Sequence, residues 1–380
     1  MKKMRLIFAL AIACSMMFTQ TTSANKWRVN RISNYLSNGT QFGENVGGTS
    51  SFPVFDTPDN AQNNNLVADH DTLYLEGTGN TLSYPGFTLS RPLVLIGAGY
   101  FLDLNSNADV SNDLLETRLE NIVFNANSEG SQIMGVHVMN GFGIDIDASN
   151  ILVKRCLVEA DINLGYFVGM TDITLVQNFI ANAGGGNAGG VTVSGFGIPQ
   201  NVIISHNIFK KILSLWNGSG TYSIAECNNN IFDCPAISGT ASIRLNTPSF
   251  QNNIIKTPNL IVDLNSGVAS SNVVYNVCAT ATQLNTTDPQ WHNIHVANMQ
   301  TVFVPVGTST DGNYELDPTW AAANPGSDGA DRGAFGGASI TSRYTLSGLP
   351  PVPVVYSIAT SGVASPVTGL PVTIKARTIK

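Results

Sequence analysis

The feature that most constrains this chain is a repeat. Six short segments share one pattern: ILVKRCLV (151–158), ITLVQNFI (173–180), VIISHNIF (202–209), CNNNIF (227–232), FQNNII (250–255) and NVVYNVC (272–278). Each opens on alternating apolar residues, passes through a polar pair and ends on a second apolar pair. One slot recurs, held by Cys156, Asn178, Asn207, Asn230, Asn253 and Asn276 at intervals of 22, 29, 23, 23 and 23 residues. SQIMGVHV (131–138) fits one step earlier, with Gly135 in the slot. A second set of runs lies between these segments: GIDID (143–147), YFVG (166–169), VTVS (191–194), YSIA (222–225), SIRLN (242–246) and LIVDLN (260–265). The alternation has period two, not the 3.6 of a helix.

A period near 23 residues with several short strands per repeat predicts an all-β solenoid, a single-stranded parallel β-helix. A leucine-rich repeat has a similar period, but its Leu-x-x-Leu-x-Leu pattern is missing. One coil cannot bury its own apolar face, so its neighbours must cover it. The slot residues Asn178, Asn207, Asn230, Asn253 and Asn276 then stack as an asparagine ladder. Asn tolerates a left-handed bend, and its amide both donates and accepts, so it can bond the rung above and the rung below. The preceding position varies in polar type: Gln177, His206, Asn229, Asn252.

Only 12% of the 380 residues are charged and 43% are hydrophobic. A soluble domain averages about a quarter charged, and a disordered chain has few aliphatic residues and high net charge. Residues 1–24 have the form of a secretory signal: Lys2, Lys3 and Arg5, then the apolar Leu6 to Phe18, then Thr22-Ser23-Ala24. Cys14 within Ala11-Ile12-Ala13-Cys14 offers a lipoprotein site as the minor alternative. Removing that segment takes the formal charge from −7 to −10, which argues against nucleic acid as partner. No later run is long enough to cross a membrane as a helix. The expected location is secreted or cell-surface, where disulfides are permitted. For Cys156, Cys227, Cys234 and Cys278 the sequence leaves disulfides and packed thiols open, and it favours packed thiols over a metal pair at Cys227 and Cys234.

Three stretches carry a family resemblance. DTLYLEGTGNTLSYPGFTLSRPLVLIGAGYF (71–101) is similar to the opening coils of the secreted right-handed parallel β-helix proteins with the pectate-lyase architecture. The Asn-slot coils resemble their middle, and LDPTWAAANPGSDGADRGAFGG (316–337) their closing segment. The resemblance spans residues 67–338, leaving 25–66 as a lead-in or cap and 339–380 as an extended tail that docks on the flank or serves in anchoring. It implies right-handedness, secretion and contact with carbohydrate. It does not fix activity, because one fold hosts many functions.

The family also implies acidic calcium ligands and an Arg or Lys base on the outward face of one strand stack. Asp145 and Asp147 share a face and can co-ligate calcium. Arg244 and Asp263 lie on adjacent coils and are the candidate catalytic pair. The two groups stand four coils apart, about 19 Å at strand spacing, and no coil carries the paired carboxylates of a glycoside hydrolase. A solvated polar face is the simpler account of both. Trp216, with Phe196 in the long 181–199 loop, offers an aromatic face for a sugar ring or else covers a coil edge. His137 and His206 stand beside the slot strands, and His292 and His295 form a His-x-x-His pair without an acidic or Cys neighbour. AGGGNAGG (183–190) lacks the Gly-Lys-Ser/Thr ending of a phosphate loop. The chain thus points to a secreted β-helix that engages polysaccharide without catalysis, with no required cofactor. The alternatives are a pectate-lyase-like polysaccharide lyase and a purely structural surface protein.

Overall fold

The structure is a computed structural model. It describes residues 24–36, 41–79, 81–102, 104–105, 116–165, 170–181, 189–193, 198–216, 223, 225–265, 268–284, 286–304, 310–360 and 370–378. The signal-like segment with Cys14, Phe196, YFVG (166–169) and most of the 181–199 loop lie outside the described residues.

Short strands build two long parallel sheets. The first has eleven strands. From Thr72–Leu75 it runs through Val94–Ile96, Gln132–Met134, Ile151–Lys154, Thr171–Val176, Gln200–Ser205, Ala225–Asn228, Phe250–Gln251 and Val273–Val274. The lead-in extends this sheet: Lys26–Val29 pairs with Thr72–Leu75, and Val54–Phe55 pairs with Lys26–Val29. The second sheet has fifteen strands in two runs that meet at the long strand His137–Ile146. One run holds the apolar pairs after the Asn slot, Leu157–Val158 to Val277–Cys278 and on to Ile294–His295. The other holds Ile162–Leu164, Gly190–Val193, Ile212–Ser214, Ile243–Arg244 and Val262–Asp263. This all-β, parallel arrangement is compatible with a parallel β-helix.

Period-two alternation explains the packing. In Thr171–Val176, Ile173 and Leu175 point inward while Thr174 and Val176 stay half-buried. Register then aligns like with like. Ile151, Ile173, Val202 and Ala225 form one interior column, and Val153, Leu175, Ile204, Cys227 and Phe250 the next. Cys227 therefore fills a place that Leu and Ile fill on neighbouring strands. Truncating a buried Leu such as Leu175 to alanine costs about 3 kcal/mol. The rings of Phe209 and Phe232 stack at 4.9 Å.

The slot asparagines bond from one to the next. Nδ2 of Asn178 donates to Oδ1 of Asn207 at 3.0 Å, and Asn207, Asn230 and Asn253 repeat the contact at 3.1 Å. Each Nδ2 also donates to an interior carbonyl, such as Ile204 O for Asn230 at 2.9 Å. Each Oδ1 accepts the backbone N–H of the preceding slot residue, as Asn230 does from Asn207 at 3.0 Å. An interior amide thus uses both donors and both acceptor positions. The row continues to a residue that the period does not predict. Asn276 donates to Asn293 at 3.1 Å across an interval of only 17 residues.

The structure corrects three local expectations. The left-handed backbone falls one place before the slot, at Arg155, Gln177, His206, Asn229, Asn252, Tyr275 and His292, with φ between 52° and 59°. The slot side chain turns inward to its row, so the bend and the amide need separate residues. Gly135 belongs to this left-handed column, with φ 68°. Because Leu157 pairs with His137, the residue level with Cys156 is Val136. Finally, INL (162–164) and ILS (212–214) occupy the second-sheet run, in place of YFVG and YSIA. Of YSIA, Ala225 opens a strand of the first sheet.

The closing segment lies along the bend column. Asn252 donates to Ser327 at 3.0 Å, Gly337 backs onto His206, Gln177 donates to the carbonyls of Thr341 and Arg343, and Arg155 donates to Leu349 O at 2.7 Å. Tyr100 and Tyr344 join hydroxyls at 2.7 Å, and buried Asp311 accepts from Asn105, Tyr344 and Ser347. Beyond it, Pro353–Thr360 and Val372–Thr378 form a two-stranded antiparallel sheet.

Candidate functional site

The second-sheet run places one polar row in register. Asp145, Asn163, Thr192, Ser214, Arg244 and Asp263 stand on successive strands, each half-buried. They alternate with inward Ile144, Ile162, Val191, Leu213, Ile243 and half-buried Val262, so they line the outward face. Asn163 donates to Asp145 at 2.7 Å, and Thr192 donates to Asn163 at 2.9 Å. At the far end Arg244 Nε stands 3.5 Å from Asp263 Oδ2. The sequence candidates thus share one row but not one place. Arg244 stands four strand steps from Asp145, about 19 Å.

Asp145 and Asp147 flank inward Ile146 and are both half-buried. Calcium takes six to eight oxygens. Among the described residues no group of three or more His, Cys, Asp or Glu side chains converges as a metal site.

Trp216 does not offer two open ring faces. The Arg244 guanidinium lies 4.4 Å from its ring centre, and the indole is half-buried. That contact holds both side chains in place. Phe196 lies outside the described residues.

The histidines divide. His137 sits between two carboxylates, with Nδ1 3.2 Å from Glu116 and Nε2 3.3 Å from Glu159, and Arg118 reaches Glu116 at 3.3 Å. Burial works to lower the His137 pKa, but the two carboxylates outweigh it and hold it above the ordinary value. His206 is buried beside Gly337, and burial pushes its pKa down to about 4. His292 stacks on Tyr275 at 4.5 Å, and His295 is exposed at the end of the last strand. The four described cysteines, Cys156, Cys227, Cys234 and Cys278, are free and buried. Burial pushes the Cys156 and Cys234 thiols up to about 12 and Cys278 to about 11.

Two clusters escape a reading of local motifs, the His137 clamp and a Lys210–Asp233–Lys256 column. Their members lie a full repeat apart in sequence. The signal was present in the register, since Lys210, Asp233 and Lys256 each follow one of the aligned pairs Ile208–Phe209, Ile231–Phe232 and Ile254–Ile255.

No family model, no curated protein and no solved structure matches the chain.

Proposed function

We propose that this chain is an exported, right-handed parallel β-helix with an asparagine ladder, and that it engages extracellular polysaccharide along its outward polar row without catalysis. The observation that carries this reading is the row itself: six hydrogen-bonding side chains from Asp145 to Asp263 at one-strand spacing. Such a row extends about 24 Å and presents donors and acceptors to a linear, hydroxyl-rich chain. Trp216 beside Arg244 adds an aromatic face at one end. A lyase would need its base and its charge-stabilising groups around one reacting atom. The separation of Asp145 from Arg244 counts against that, and the Asp263 partner already occupies Arg244.

The test is a glycan panel incubated with the mature protein, with and without calcium. Retention of at least one polysaccharide without any rise in ultraviolet absorbance is the expected result. Trp216→Ala should weaken that retention. A rise from an unsaturated product would replace the binding module with a lyase. No retention of any glycan would leave a purely structural role.

A further inference from the structure

A second polar site lies off that row and does not depend on the glycan reading. Lys210, Asp233 and Lys256 each directly follow one of three neighbouring strands, giving charges in the order plus, minus, plus. Both ammoniums reach one carboxylate oxygen, Asp233 Oδ2, at 3.0 Å. The Tyr314 hydroxyl donates to the same oxygen at 2.7 Å. Burial works to raise the Asp233 pKa, but Tyr314 and the two lysines outweigh it and hold it below the ordinary value. Asp233 is therefore ionised at neutral pH, and the trio carries a net charge of one positive unit.

The cluster opens onto a cavity of ≈ 650 Å³, lined also by Gln300, Phe303, Val304 and Asn313. That volume lies within the range of small-molecule sites. The cations are held in position. Lys256 Nζ lies 4.7 Å from the Tyr314 ring centre and 5.5 Å from that of Phe303, and Lys210 Nζ lies 5.9 Å from Tyr314. Each ammonium has three N–H donors, and among the described residues Asp233 takes one from each. The remaining donors give an oxyanion a preorganised partner, which lowers the cost of ordering on binding. Tyr314 is not a base here: burial and then Asp233 drive its pKa well above the usual phenol range. The site is built to hold a charge, not to take a proton. A simple surface ion pair would have no need of an adjoining cavity with one apolar wall.

We propose that this cavity binds an organic oxyanion, a carboxylate or sulfate group on a sugar-sized body. Its charge sits against Lys210 and Lys256, its body packs on Phe303 and Val304, and Gln300 and Asn313 serve its hydroxyls.

Calorimetric titration of the whole chain with glucuronate, glucose 6-sulfate and glucose tests this. At least one anion binds saturably, and glucose binds at least tenfold more weakly. Binding of glucuronate alone assigns a carboxylate, of the sulfate alone a sulfate ester, and of both a general oxyanion site. Lys256→Gln weakens the anion at least tenfold while polysaccharide retention by the same variant stays at the parent level, so failure here would not touch the glycan reading. Lys210→Gln, at a side chain 38% exposed, serves as the second variant should Lys256→Gln fold poorly. The proposal is overturned if neither anion binds, if glucose binds as well, or if the folded glutamine variants bind like the parent.

Discussion

Replacing Asn230 by alanine tests the asparagine row at its middle. The Asn230 Oδ1 accepts from Asn207 twice, from the backbone N–H at 3.0 Å and from Nδ2 at 3.1 Å. Its Nδ2 donates to Ile204 O at 2.9 Å and to Asn253 Oδ1 at 3.1 Å. Alanine leaves two donors on fully buried Asn207 without that acceptor. Each orphaned buried group costs about 1–3 kcal/mol, so the loss is about 4 kcal/mol. Asn178 stands at the start of the row, where Cys156 offers no side-chain amide. Its Oδ1 accepts only the Cys156 N–H, at 2.9 Å. Asn178→Ala therefore orphans one donor and costs about 2 kcal/mol. The assay is denaturant unfolding of both variants, with hydrogen exchange at the Asn207 amide as local readout. That amide should lose protection in Asn230→Ala and keep it in Asn178→Ala. Equal destabilisation of the two variants, or a loss under about 1 kcal/mol for Asn230→Ala, would refute the reasoning.

Three further predictions rest on titration and burial. The His206 pKa falls from 6.5 unfolded to about 4 folded, so its contribution is complete above pH 6.5 and is lost as pH falls towards 4. The loss amounts to about 3 kcal/mol at 1.36 kcal/mol per unit. His206→Gln should flatten the stability curve across that window, as followed by unfolding at several pH values. The His137 pKa is raised, so its sign is opposite: its contribution is full below pH 6.5 and fades as pH rises through the folded value. His137→Gln should accordingly destabilise more at pH 5.5 than at pH 8.5, and an equal loss at both would contradict the clamp with Glu116 and Glu159. The four described thiols are buried and three have pKa values pushed to about 11 or 12. Since the thiolate is the reactive form, iodoacetamide should add no mass to native protein prepared without residues 1–24 at pH 8 and four adducts after denaturation, as read by mass spectrometry.

The repeat made the parallel strands legible because burial and register both follow a period of two within strands and about 23 between them. Asn178, Asn207, Asn230, Asn253 and Asn276 recur at that longer period, and adjacent members bond side chain to side chain. What escaped was set by length changes. Asn293 follows Asn276 by 17 residues, so the fixed interval passed over it. The spacing of the runs sets YFVG beside VTVS, while Ile162–Leu164 holds the register with Gly190–Val193. The bend was misplaced by one residue because Asn is suited to both jobs, and only the inward amide decides which job it does. The Arg244–Asp263 pair was readable from adjacency on neighbouring strands. The Lys210, Asp233 and Lys256 cluster acquires its cavity only through Tyr314 and Phe303, which follow the last repeat and carry none of its pattern.

The closing segment has a consequence for how the molecule is completed. Its partners on the bends are 75 residues away at Asn252, 164 at Gln177 and 194 at Arg155. The separation grows as the segment travels back towards the earlier strands, so a part of the chain made after both parallel sheets seals bends made long before it. Until then Arg155 and Gln177 are without their carbonyl partners on the closing segment, and Tyr100 and Asn105 lack Tyr344 and Ser347. Strand stacking can advance from the amino end as each repeat emerges, but the flank closes in a single late step of high contact order. A chain stopped near residue 320 would hold every described strand of both parallel sheets and keep the Asn105–Asp311 bond, but none of the contacts to Asn252, His206, Gln177 and Arg155.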